Sequence, residues 1–436
     1  MKRLNRLARA RPDQARASAA APAAVEAVLE TGEIGARGDA LAEGETGPIY
    51  VAFALPGERV RARLSGDRAQ VLEVLAASPE RRTPPCKHFG RCGGCQLQHW
   101  DEAPYLEWKR QRVVEALLKR GIGFDVAPTV AAWGEGRRRA AFHATRQGGA
   151  VRLGFQERGG ARLQVISACP VLTSPLETAL PKLSSIADLF LPPRGEITLH
   201  CLWTEAGLDV AVKGAGKAQT LNQSALEKAA AVAEKADLAR LSLDGEPVIT
   251  RRAPLVRMGC AVVAPTPGAF LQPTALGEET LAHLAKEALQ GSKRVIDLFS
   301  GIGTFALRLA EDAEVQAAEA DAEMLAALKQ AADGAGGALK HVSILRRDLL
   351  RTPLASLEMK KFDGAVIDPP RSGARLQAEQ IGRSGVRRLA YVSCDPATFA
   401  RDVRVLVDFG FTLTKVTPVD QFRWSPHVEI VGALER

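Results

Sequence analysis

The chain has 436 residues, of which 46% are hydrophobic and 25% are charged. This length exceeds that of one ordinary hydrophobic core, so we expect two or three domains. No apolar run approaches the roughly 18 residues that a membrane-spanning helix needs, and we therefore expect no membrane association. Lys and Arg number 58 against 50 acidic residues, which gives a net charge of +8. This balance favours a polyanionic partner, although charge alone does not say which one.

Seven cysteines are too few for a disulfide scaffold, and three of them lie close together between Cys86 and Cys95. Such crowding is typical of metal ligands in a reducing compartment and favours the cytoplasm. The first segment, 1–24, is rich in Arg and Ala, with Asp13 as its single acid. A transit peptide is one interpretation. A disordered basic arm is favoured, because Pro12 interrupts the segment and no amphipathic periodicity is present.

Residues 25–80 alternate short apolar runs, at 25–29, 49–53 and 60–64, with glycine-rich or proline-containing turns. Strands at this spacing favour a small barrel of the OB type, whose open face and loops suit oligonucleotides. An ordinary small β domain fits the pattern equally well. We therefore expect either a β-barrel domain or an ordinary small β domain at this end of the chain.

Residues 81–268 join the cysteine-rich insert to mixed helical and strand patterns. An amphipathic helix is predicted over 102–120, and we expect it to pack on the C-terminal domain. The runs 151–155 and 197–203 are typical of strands. We interpret this region as a central α+β module whose core predicts no chemistry.

From about residue 275 onward, helices alternate with short apolar strands. A helix is predicted over 277–289, and strands are predicted over 294–299, 314–318, 364–367 and 388–392. This alternation is typical of an α/β fold with a doubly wound, Rossmann-like parallel sheet, here assigned to 269–436. Ligands bind such sheets beyond the carboxyl ends of the strands, so polar motifs at those ends are candidate site residues.

The first of these motifs is a strand over 295–299 that runs into a turn containing Gly301 and Gly303. The missing Cβ atoms let a ligand approach the backbone closely. Glu319, at the end of the next strand, is placed to accept hydrogen bonds from ribose hydroxyls. A dinucleotide-binding fold uses a similar turn, but its full glycine spacing is absent because Thr304 and two further non-glycine residues follow.

A second group of motifs carries nucleophilic and basic side chains. Cys394 follows an apolar strand, which places a thiol at the rim of the sheet, where it is suited to nucleophilic catalysis. A lone cysteine is more often structural, but Asp368-Pro369-Pro370-Arg371 closes a neighbouring strand. Glu429, in His427-Val428-Glu429, is a candidate base. Three polar motifs therefore converge on one edge of the sheet.

These motifs resemble those of the RNA uracil-5 methyltransferases, over nearly the whole chain from Val25. The nucleophile motif is matched from Ser393-Cys394 to Arg401-Asp402, and the base motif at His427-Val428-Glu429. The resemblance implies that S-adenosylmethionine is the methyl donor. It also implies that Cys394 adds to carbon 6 of uracil and that Glu429 removes the proton from carbon 5. The target uridine would be extruded from its stack.

The resemblance extends to the residues that hold or surround the cofactor. Together with the glycine turn, these are Gln272, Phe299, Gly301, Thr304, Glu319, Asp348 and Asp368. Phe270 is expected to stack on the target base. Two departures are present: Asp395 stands where the family usually has Asn, and Pro273-Thr274 stands where Val-Asn is commoner. Because the nucleophile, the base and Gln272 are retained, we do not infer loss of activity.

Cys86, Cys92 and Cys95 flank Gly93-Gly94, which can wrap around a cluster, and Cys169 is available as a distant fourth ligand. Zinc held by four thiolates is the alternative. The arrangement resembles the [4Fe-4S] site of the 23S ribosomal RNA branch of the family, which favours iron and sulfur and a TRAM-like barrel at 25–80. It argues against the tRNA branch, whose bacterial members lack both features. The remaining two, Cys201 and Cys260, are expected to be packing residues.

Arg137-Arg138-Arg139, with Trp133 nearby, is predicted to bind phosphate and stack on bases; a solvated charged edge is the alternative. We expect a monomer that acts on RNA, and specifically on 23S ribosomal RNA. The competing hypotheses are a tRNA enzyme, an enzyme of the same fold that methylates cytosine or an adenine amino group, and a non-catalytic RNA-binding protein. Adenine enzymes favour an aromatic residue after Asp-Pro-Pro and need no thiol, whereas this chain has Arg371 and Cys394.

Overall fold

The computed structural model describes residues 25–160, 162–216 and 218–436, and the predicted basic arm 1–24 lies outside them. Within this part, the chain forms two compact units, one of residues 25–35 with Asp39–Pro79 and one of Ala36–Gly38 with Glu80–Arg436. The predicted central and C-terminal domains both lie in the second unit, and the boundary between them stays a prediction. None of the helices in the described ranges is both long and apolar enough to cross a lipid bilayer.

The first unit is a closed five-stranded barrel, which confirms the predicted barrel. Its strands are β1 (Val25–Ile34), β2 (Ala40–Ala42), β3 (Ile49–Ala52), β4 (Arg59–Ser65) and β5 (Arg68–Ala76), in the order β1-β2-β3-β5-β4. Burial alternates along β4, where Val60 and Ala62 face the core between exposed arginines, as the two-residue period of a strand requires. The buried Glu58 carboxylate accepts hydrogen bonds from the N–H groups of Leu55 (2.8 Å) and Ser78 (3.2 Å), which ties the barrel's last residues to a turn.

The second unit contains a seven-stranded sheet in the order β13-β12-β11-β10-β7-β8-β9. The elements up to residue 263 are α1 (Glu102–Leu118), β6 (Val130–Ala131), β7 (Arg139–Gln147), β8 (Ala150–Gln156), β9 (Leu163–Val165), α2 (Ser174–Thr178), α3 (Leu180–Phe190), β10 (Glu196–Thr204), β11 (Gly207–Lys213), a 3-10 turn (Ala218–Thr220), α4 (Gln223–Lys235), β12 (Leu238–Leu243), β13 (Glu246–Thr250), β14 (Val256–Met258) and β15 (Ala261–Val263). Helices α3 and α4 pack on this sheet and bury one apolar core with it. The predicted strands at 151–155 and 197–203 correspond to β8 and β10.

The rest of the chain builds an eight-stranded sheet in the order β18-β17-β16-β19-β20-β22-β21-β6. Its elements after residue 263 are α5 (Ala275–Ala288), β16 (Arg294–Leu298), α6 (Ala306–Leu309), β17 (Glu314–Glu319), α7 (Ala322–Asp333), β18 (Val342–Arg346), β19 (Gly364–Ile367), α8 (Arg375–Gly382), β20 (Arg388–Ser393), α9 (Pro396–Asp408), β21 (Thr412–Asp420) and β22 (Glu429–Glu435). Strands β16 to β20 are parallel, which confirms the predicted α/β fold. Strand β22 lies antiparallel between β20 and β21.

Two elements that precede residue 132 are associated with this second sheet, one as a strand and one as a helix packed against it. Strand β6 pairs in parallel with β21, with Val130 opposite Val419. Helix α1 contacts α9 and β21, and its buried residues include Tyr105, Lys109 and Val113. The predicted amphipathic helix is therefore present, and it packs on the C-terminal sheet.

The core of this sheet supplies a test of the packing. Phe399 in α9 is fully buried, its ring meets that of Tyr391 edge to face at 5.9 Å, and a Cβ atom on Gly432 would lie 2.8 Å from it. We expect Phe399→Ala to lower the free energy of unfolding by about 3–5 kcal/mol, because a cavity replaces the ring. Leu357→Ala, at a position that is 72% exposed, should change it by no more than about 0.5 kcal/mol. Urea denaturation followed by circular dichroism measures both, and equal losses would contradict this packing.

Candidate active site

The register of one antiparallel strand pair brings Cys394 and Glu429 together. Strand β20 runs toward the carboxyl edge of the sheet and β22 starts from that edge, with Ser393 opposite Ile430. Cys394 and Glu429 come directly beyond this last pair, and the Glu429 charge acts on the Cys394 thiol. Directly opposite residues in antiparallel strands have Cβ atoms about 4.5–5.5 Å apart. The two residues that the sequence proposed as nucleophile and base are therefore neighbours.

The Cys394 thiol lies half-buried at the end of β20. Burial raises its pKa to about 11, and the nearby Glu429 carboxyl adds to this increase. The guanidinium of Arg371, in the loop after β19, lies near the thiol, and its charge acts in the opposite direction. The sequence offered no partner for the thiol, because Arg371 lies 23 residues before it. The structure places a cation near the sulfur, where its charge favours the thiolate form.

Arg371 also contacts His427, since its Nη2 atom lies 3.1 Å from the Nδ1 atom of the imidazole ring. Burial lowers the pKa of His427 to about 4, and the charge of Arg371 lowers it further. The ring is therefore neutral near pH 7 and can accept a hydrogen bond from the guanidinium. The guanidinium of Arg371 thus lies near both His427 and Cys394.

The Glu429 carboxyl is buried, and burial followed by the charge of Asp368 raises its pKa to about 8. The side-chain amide of Gln421, which lies nearby, acts against this increase. The nitrogen of this amide lies 2.6 Å from Oε1 of Gln272, one of the predicted cofactor residues. Gln421 was missed by the sequence analysis, although its position just after a strand that ends at the same edge was an available signal. A carboxyl with a pKa near 8 is matched to proton abstraction close to neutral pH.

The departure at Asp395 has a local explanation. Its carboxylate accepts a hydrogen bond of 2.9 Å from the N–H of Thr398 and so caps the N-terminus of α9. Asn and Asp serve this role about equally well. The substitution of the usual Asn therefore leaves the turn after Cys394 intact.

The glycine turn lies two strands away in the same sheet. Gly303 has a φ of 101°, and a Cβ atom there would lie 2.9 Å from Leu307 and Leu328, so glycine is required for packing. Gly301 has a φ of 54° with open space where its Cβ would be, and its N–H donates to Glu319 at 3.1 Å. The backbone at Gly301 is thus accessible to a ligand, and Glu319 lies beside it.

Beneath this turn, Asp297 is fully buried, and burial raises its pKa to about 8. Its Oδ2 atom accepts a hydrogen bond from Ala306 at 2.8 Å. Within the described residues, its Oδ1 atom and the Ser300 hydroxyl are buried without a hydrogen-bond partner. Orphaned polar atoms beside an open backbone fit a polar ligand such as S-adenosylmethionine. Asp297 was not predicted as a site residue, although an acid within an apolar strand was a signal.

The remaining predicted cofactor residues occupy the same edge. Asp368 follows β19, and burial raises its pKa to about 7. Asp348 follows β18, and its Oδ1 atom accepts hydrogen bonds from the N–H groups of Leu350 (3.1 Å) and Arg351 (3.2 Å), which shapes the turn. Phe299 has a left-handed φ of 66° at the entrance to the glycine turn. Their contacts with a cofactor stay predictions.

The three consecutive arginines do not form a common surface. Arg138 is bound inside the protein, where its Nη2 atom lies 2.5 Å from Glu278, which also pairs with Arg308. Arg139 lies with its guanidinium 4.5 Å from the ring centre of Phe270, which is 58% exposed. Phe270 and Arg139 thus present an aromatic face and a cation together. The predicted RNA contacts of all these residues stay predictions.

The third arginine, Arg137, lines a cavity that Arg139 also borders. The Arg137 guanidinium lies 5.7 Å from the ring centre of Phe422, and the cavity has a volume of about 620 Å³. The same cavity is lined by all four cysteines of the predicted cluster: Cys86, Cys92, Cys95 and Cys169. Burial raises the pKa of Cys95 to about 11 and that of Cys169 to about 12, while Arg137 lowers the pKa of Cys95.

The four thiols share a cavity wall, but in the ranges 25–160, 162–216 and 218–436 no set of three or more His, Cys, Asp or Glu side chains is already arranged as a metal site. The donor chemistry, four thiols of which two are buried, fits an iron–sulfur cluster or zinc equally. Of the two other cysteines, Cys201 is fully buried, as predicted. Cys260 is exposed, so its assignment as a packing residue is wrong, because it lies in the tight turn between β14 and β15.

Comparisons with known proteins show which family the chain belongs to. A family described as tRNA (Uracil-5-)-methyltransferase matches residues 261–436. An RNA methyltransferase of Caulobacter vibrioides, itself uncharacterized, is 47% identical over 94% of this chain and 99% of its own length. The 23S rRNA (uracil(1939)-C(5))-methyltransferase RlmD of Pseudomonas entomophila is 35% identical over 92% of this chain and 91% of its own length.

A solved structure shares the fold. The tRNA (uracil-54, C5)-methyltransferase of Pyrococcus abyssi, in complex with S-adenosyl-L-homocysteine, superposes with a TM-score of 0.72 and 21% identity, covering 93% of this chain and 99% of that one. The chain belongs to the family of S-adenosylmethionine-dependent RNA uracil-5 methyltransferases.

The contact between Arg371 and the thiol predicts a change in cysteine reactivity. We expect Arg371→Met to raise the pKa of Cys394 further, so that alkylation by iodoacetamide slows at every pH and its profile moves upward by roughly one pH unit or more. Peptide mass spectrometry after timed alkylation measures modification of Cys394 itself. Arg375→Met is the matched control, because Arg375 is exposed and pairs with Glu379 one turn away. An unchanged profile in Arg371→Met would contradict the assigned contact.

Proposed function

We propose that this enzyme methylates carbon 5 of a uridine in 23S ribosomal RNA, with Cys394 as covalent nucleophile and Glu429 as base. The observation that carries the proposal is the assembly of Arg371, the thiol and the buried carboxyl at one edge of the sheet. Cytosine and adenine chemistry are less well supported, since an adenine amino group needs no thiol and Arg371 stands where an adenine enzyme would favour an aromatic ring. The binding-only alternative leaves this buried assembly without a role.

The chemistry follows from the side chains. The Cys394 thiolate adds to carbon 6 of the flipped uracil, and the electron pair of the C5–C6 double bond makes carbon 5 nucleophilic. When bound, S-adenosylmethionine supplies the electrophilic methyl group that carbon 5 accepts. Glu429 then takes the proton from carbon 5, the C5–C6 double bond forms again, and the bond between sulfur and carbon 6 breaks. Arg371 stabilises the thiolate before the first step and after the last.

The proposed contacts follow the geometry of the edge. We assign the cofactor to the glycine turn and its neighbours, namely Gln272, Asp297, Phe299, Gly301, Thr304, Glu319, Asp348 and Asp368. Phe270, held against Arg139, is assigned to the target base, which must leave its stack to reach the thiol. The barrel at 25–80 is assigned to RNA binding as a TRAM-like domain. We place the reaction in the cytoplasm and assign it to a monomer.

The nucleophile is tested by trapping. With RNA that contains 5-fluorouridine, the fluorine on carbon 5 cannot leave as a proton does, so we expect a stable adduct bonded through residue 394. Cys394→Ala should abolish both the adduct and methyl transfer while RNA binding is retained, and Cys260→Ala, at an exposed cysteine, should change neither. Denaturing gels and peptide mass spectrometry detect the adduct. An adduct at another residue, or none with the wild type, would overturn the proposed chemistry.

The substrate is tested in cells that lack the protein. We expect nucleoside mass spectrometry to show that 5-methyluridine is lost from 23S RNA and kept in tRNA. Restoring the wild-type gene, but not its Cys394→Ala variant, should return the modification. Loss from tRNA alone would show that the tRNA alternative is correct.

We further propose that Cys86, Cys92, Cys95 and Cys169 hold a [4Fe-4S] cluster. What supports this is their place on one cavity wall beside Arg137, whose positive charge suits an anionic cluster with its thiolates. Such a cluster would tie the cysteine-rich insert to the loop before α2. It would serve structure or RNA binding, since the cavity is separate from Cys394.

The cluster is tested by metal analysis. Protein purified without oxygen should contain about four iron atoms and four acid-labile sulfides per chain. Cys169→Ser should lose most of both, whereas Cys201→Ser, at a buried cysteine outside the cavity, should keep them. Stoichiometric zinc without sulfide in the wild type would show that the zinc alternative is correct.

A further inference from the structure

A fully buried ion pair lies beneath the catalytic edge. The Nζ atom of Lys109, in α1, lies 2.5 Å from Oδ1 of Asp420, at the end of β21, and both side chains are 0% exposed. Burial of two charges carries a desolvation penalty that their attraction offsets only with good geometry and further hydrogen bonds. A pair this deep, joining residues 311 positions apart in the chain, therefore needs a reason beyond stability.

The reason is visible in the other partners of the ammonium. Lys109 Nζ lies 2.6 Å from the carbonyl oxygen of His427 and 3.4 Å from that of Phe422. These carbonyls stand at the two ends of the segment 421–428, which links β21 to β22. One cation thus holds both ends of that segment.

Tyr105, one turn before Lys109 on α1, holds the middle of the segment. Its hydroxyl donates to Oδ2 of Asp420 at 2.7 Å and accepts a hydrogen bond from the N–H of Trp424 at 2.9 Å. Trp424 has a left-handed φ of 61°, which is costly for a side chain of this size and persists only when its surroundings fix it. The segment is therefore held in one conformation from α1.

This segment carries the partners of the catalytic groups. Gln421 begins it and lowers the pKa of the Glu429 carboxyl, and His427 near its end contacts Arg371, whose charge lowers the pKa of the Cys394 thiol. Glu429 itself follows two residues after His427. Its position therefore depends on how the segment is held.

The charges that face Glu429 come from three elements. Asp368, after β19, raises the pKa of Glu429, whereas Arg371 and Lys109 lower it. The Cys394 thiol on β20 also lies beside Glu429. His427 contributes no charge near pH 7, because burial lowers its pKa to about 4.

The Lys109 ammonium has its own set of neighbours. Burial lowers its pKa to about 8, the Asp420 carboxylate acts against this, and Arg112 and Arg137 add to the lowering. Below that pH Lys109 is a cation, and it then favours the ionised form of Glu429. Removal of the cation would therefore raise the pKa of Glu429 above about 8.

We propose that Lys109 is a positioning residue for proton abstraction, because its ammonium fixes the segment 421–428 and thereby sets the place of Glu429 against carbon 5 of the substrate. The proposal rests on the proposed role of Glu429 as base. The proposal predicts that a covalent intermediate accumulates when Lys109 is removed. Addition of the thiolate and methylation of carbon 5 precede the step that needs the base, so a fault in the base leaves the RNA bonded to the protein.

The test uses the full-length Lys109→Met enzyme, radiolabelled S-adenosylmethionine and ribosomal RNA from cells that lack the protein. We expect turnover to fall about 100-fold, in line with loss of a well-placed base. We also expect a methylated protein–RNA adduct, resistant to denaturation, to accumulate, and activity to recover partly at higher pH. Lys119→Met is the matched control, because Lys119 is an exposed lysine at the C-terminal end of α1, so its turnover should stay near that of the wild type without accumulated adduct.

Two results would overturn the proposal. One is that Lys109→Met turns over as fast as the wild type, and the other is that the amount of adduct falls in proportion to the loss of turnover. If Lys109→Met does not fold by its thermal melt, the Lys109→Met/Asp420→Asn double variant removes both charges and is judged by the same readouts. Glu429→Gln separates this proposal from the function on which it rests. If that variant fails to accumulate adduct, the base assignment is wrong whatever Lys109 does.

Discussion

The pairing of β20 with β22 is the constraint on which the site depends. Seven of the eight strands run in one direction, so their carboxyl ends meet at one edge, but a neighbour of β20 in that direction would begin at the opposite edge. Because β22 is antiparallel, its first residue lies at the edge where β20 ends, and Glu429 and Cys394 follow directly beyond the pair Ser393–Ile430. Since a shift of one residue turns every side chain to the other face, the buried register of this pair fixes the nucleophile and base together.

Burial at that edge has an electrostatic consequence. Removal of water raises the pKa values of Cys394, Glu429, Asp368 and Asp297, all of which are neutral when protonated. The cations Arg371 and Lys109 act against this increase without reversing it. Near neutral pH the thiol is therefore protonated, whereas the Glu429 carboxyl, with its pKa raised to about 8, lies close to its own titration range.

The sequence predicted those parts of the fold that local patterns determine. The strands β16, β17, β19 and β20 and the helix α1 have clear apolar periodicity, and the barrel strands alternate with turns. Patterns in one stretch of chain cannot predict contacts between distant residues, and the pairs Lys109–Asp420 and Arg371–Cys394 were therefore missed. The three arginines show the same limit: adjacent in the sequence, they point to three separate partners in the structure.

The residues that hold the edge around Cys394 and Glu429 in place include some that precede the C-terminal region matched by the family. The family match begins at residue 261, yet β6 completes the sheet beside β21, and α1 supplies the ammonium and hydroxyl that hold the link from β21 to β22. Without α1, Asp420 would be a buried carboxylate with no cation, which is strongly unfavourable. The segment 421–428 would also lose the bonds that keep Trp424 in its left-handed conformation. The C-terminal motifs therefore define the chemistry, whereas the geometry of Glu429 requires residues 102–131 as well.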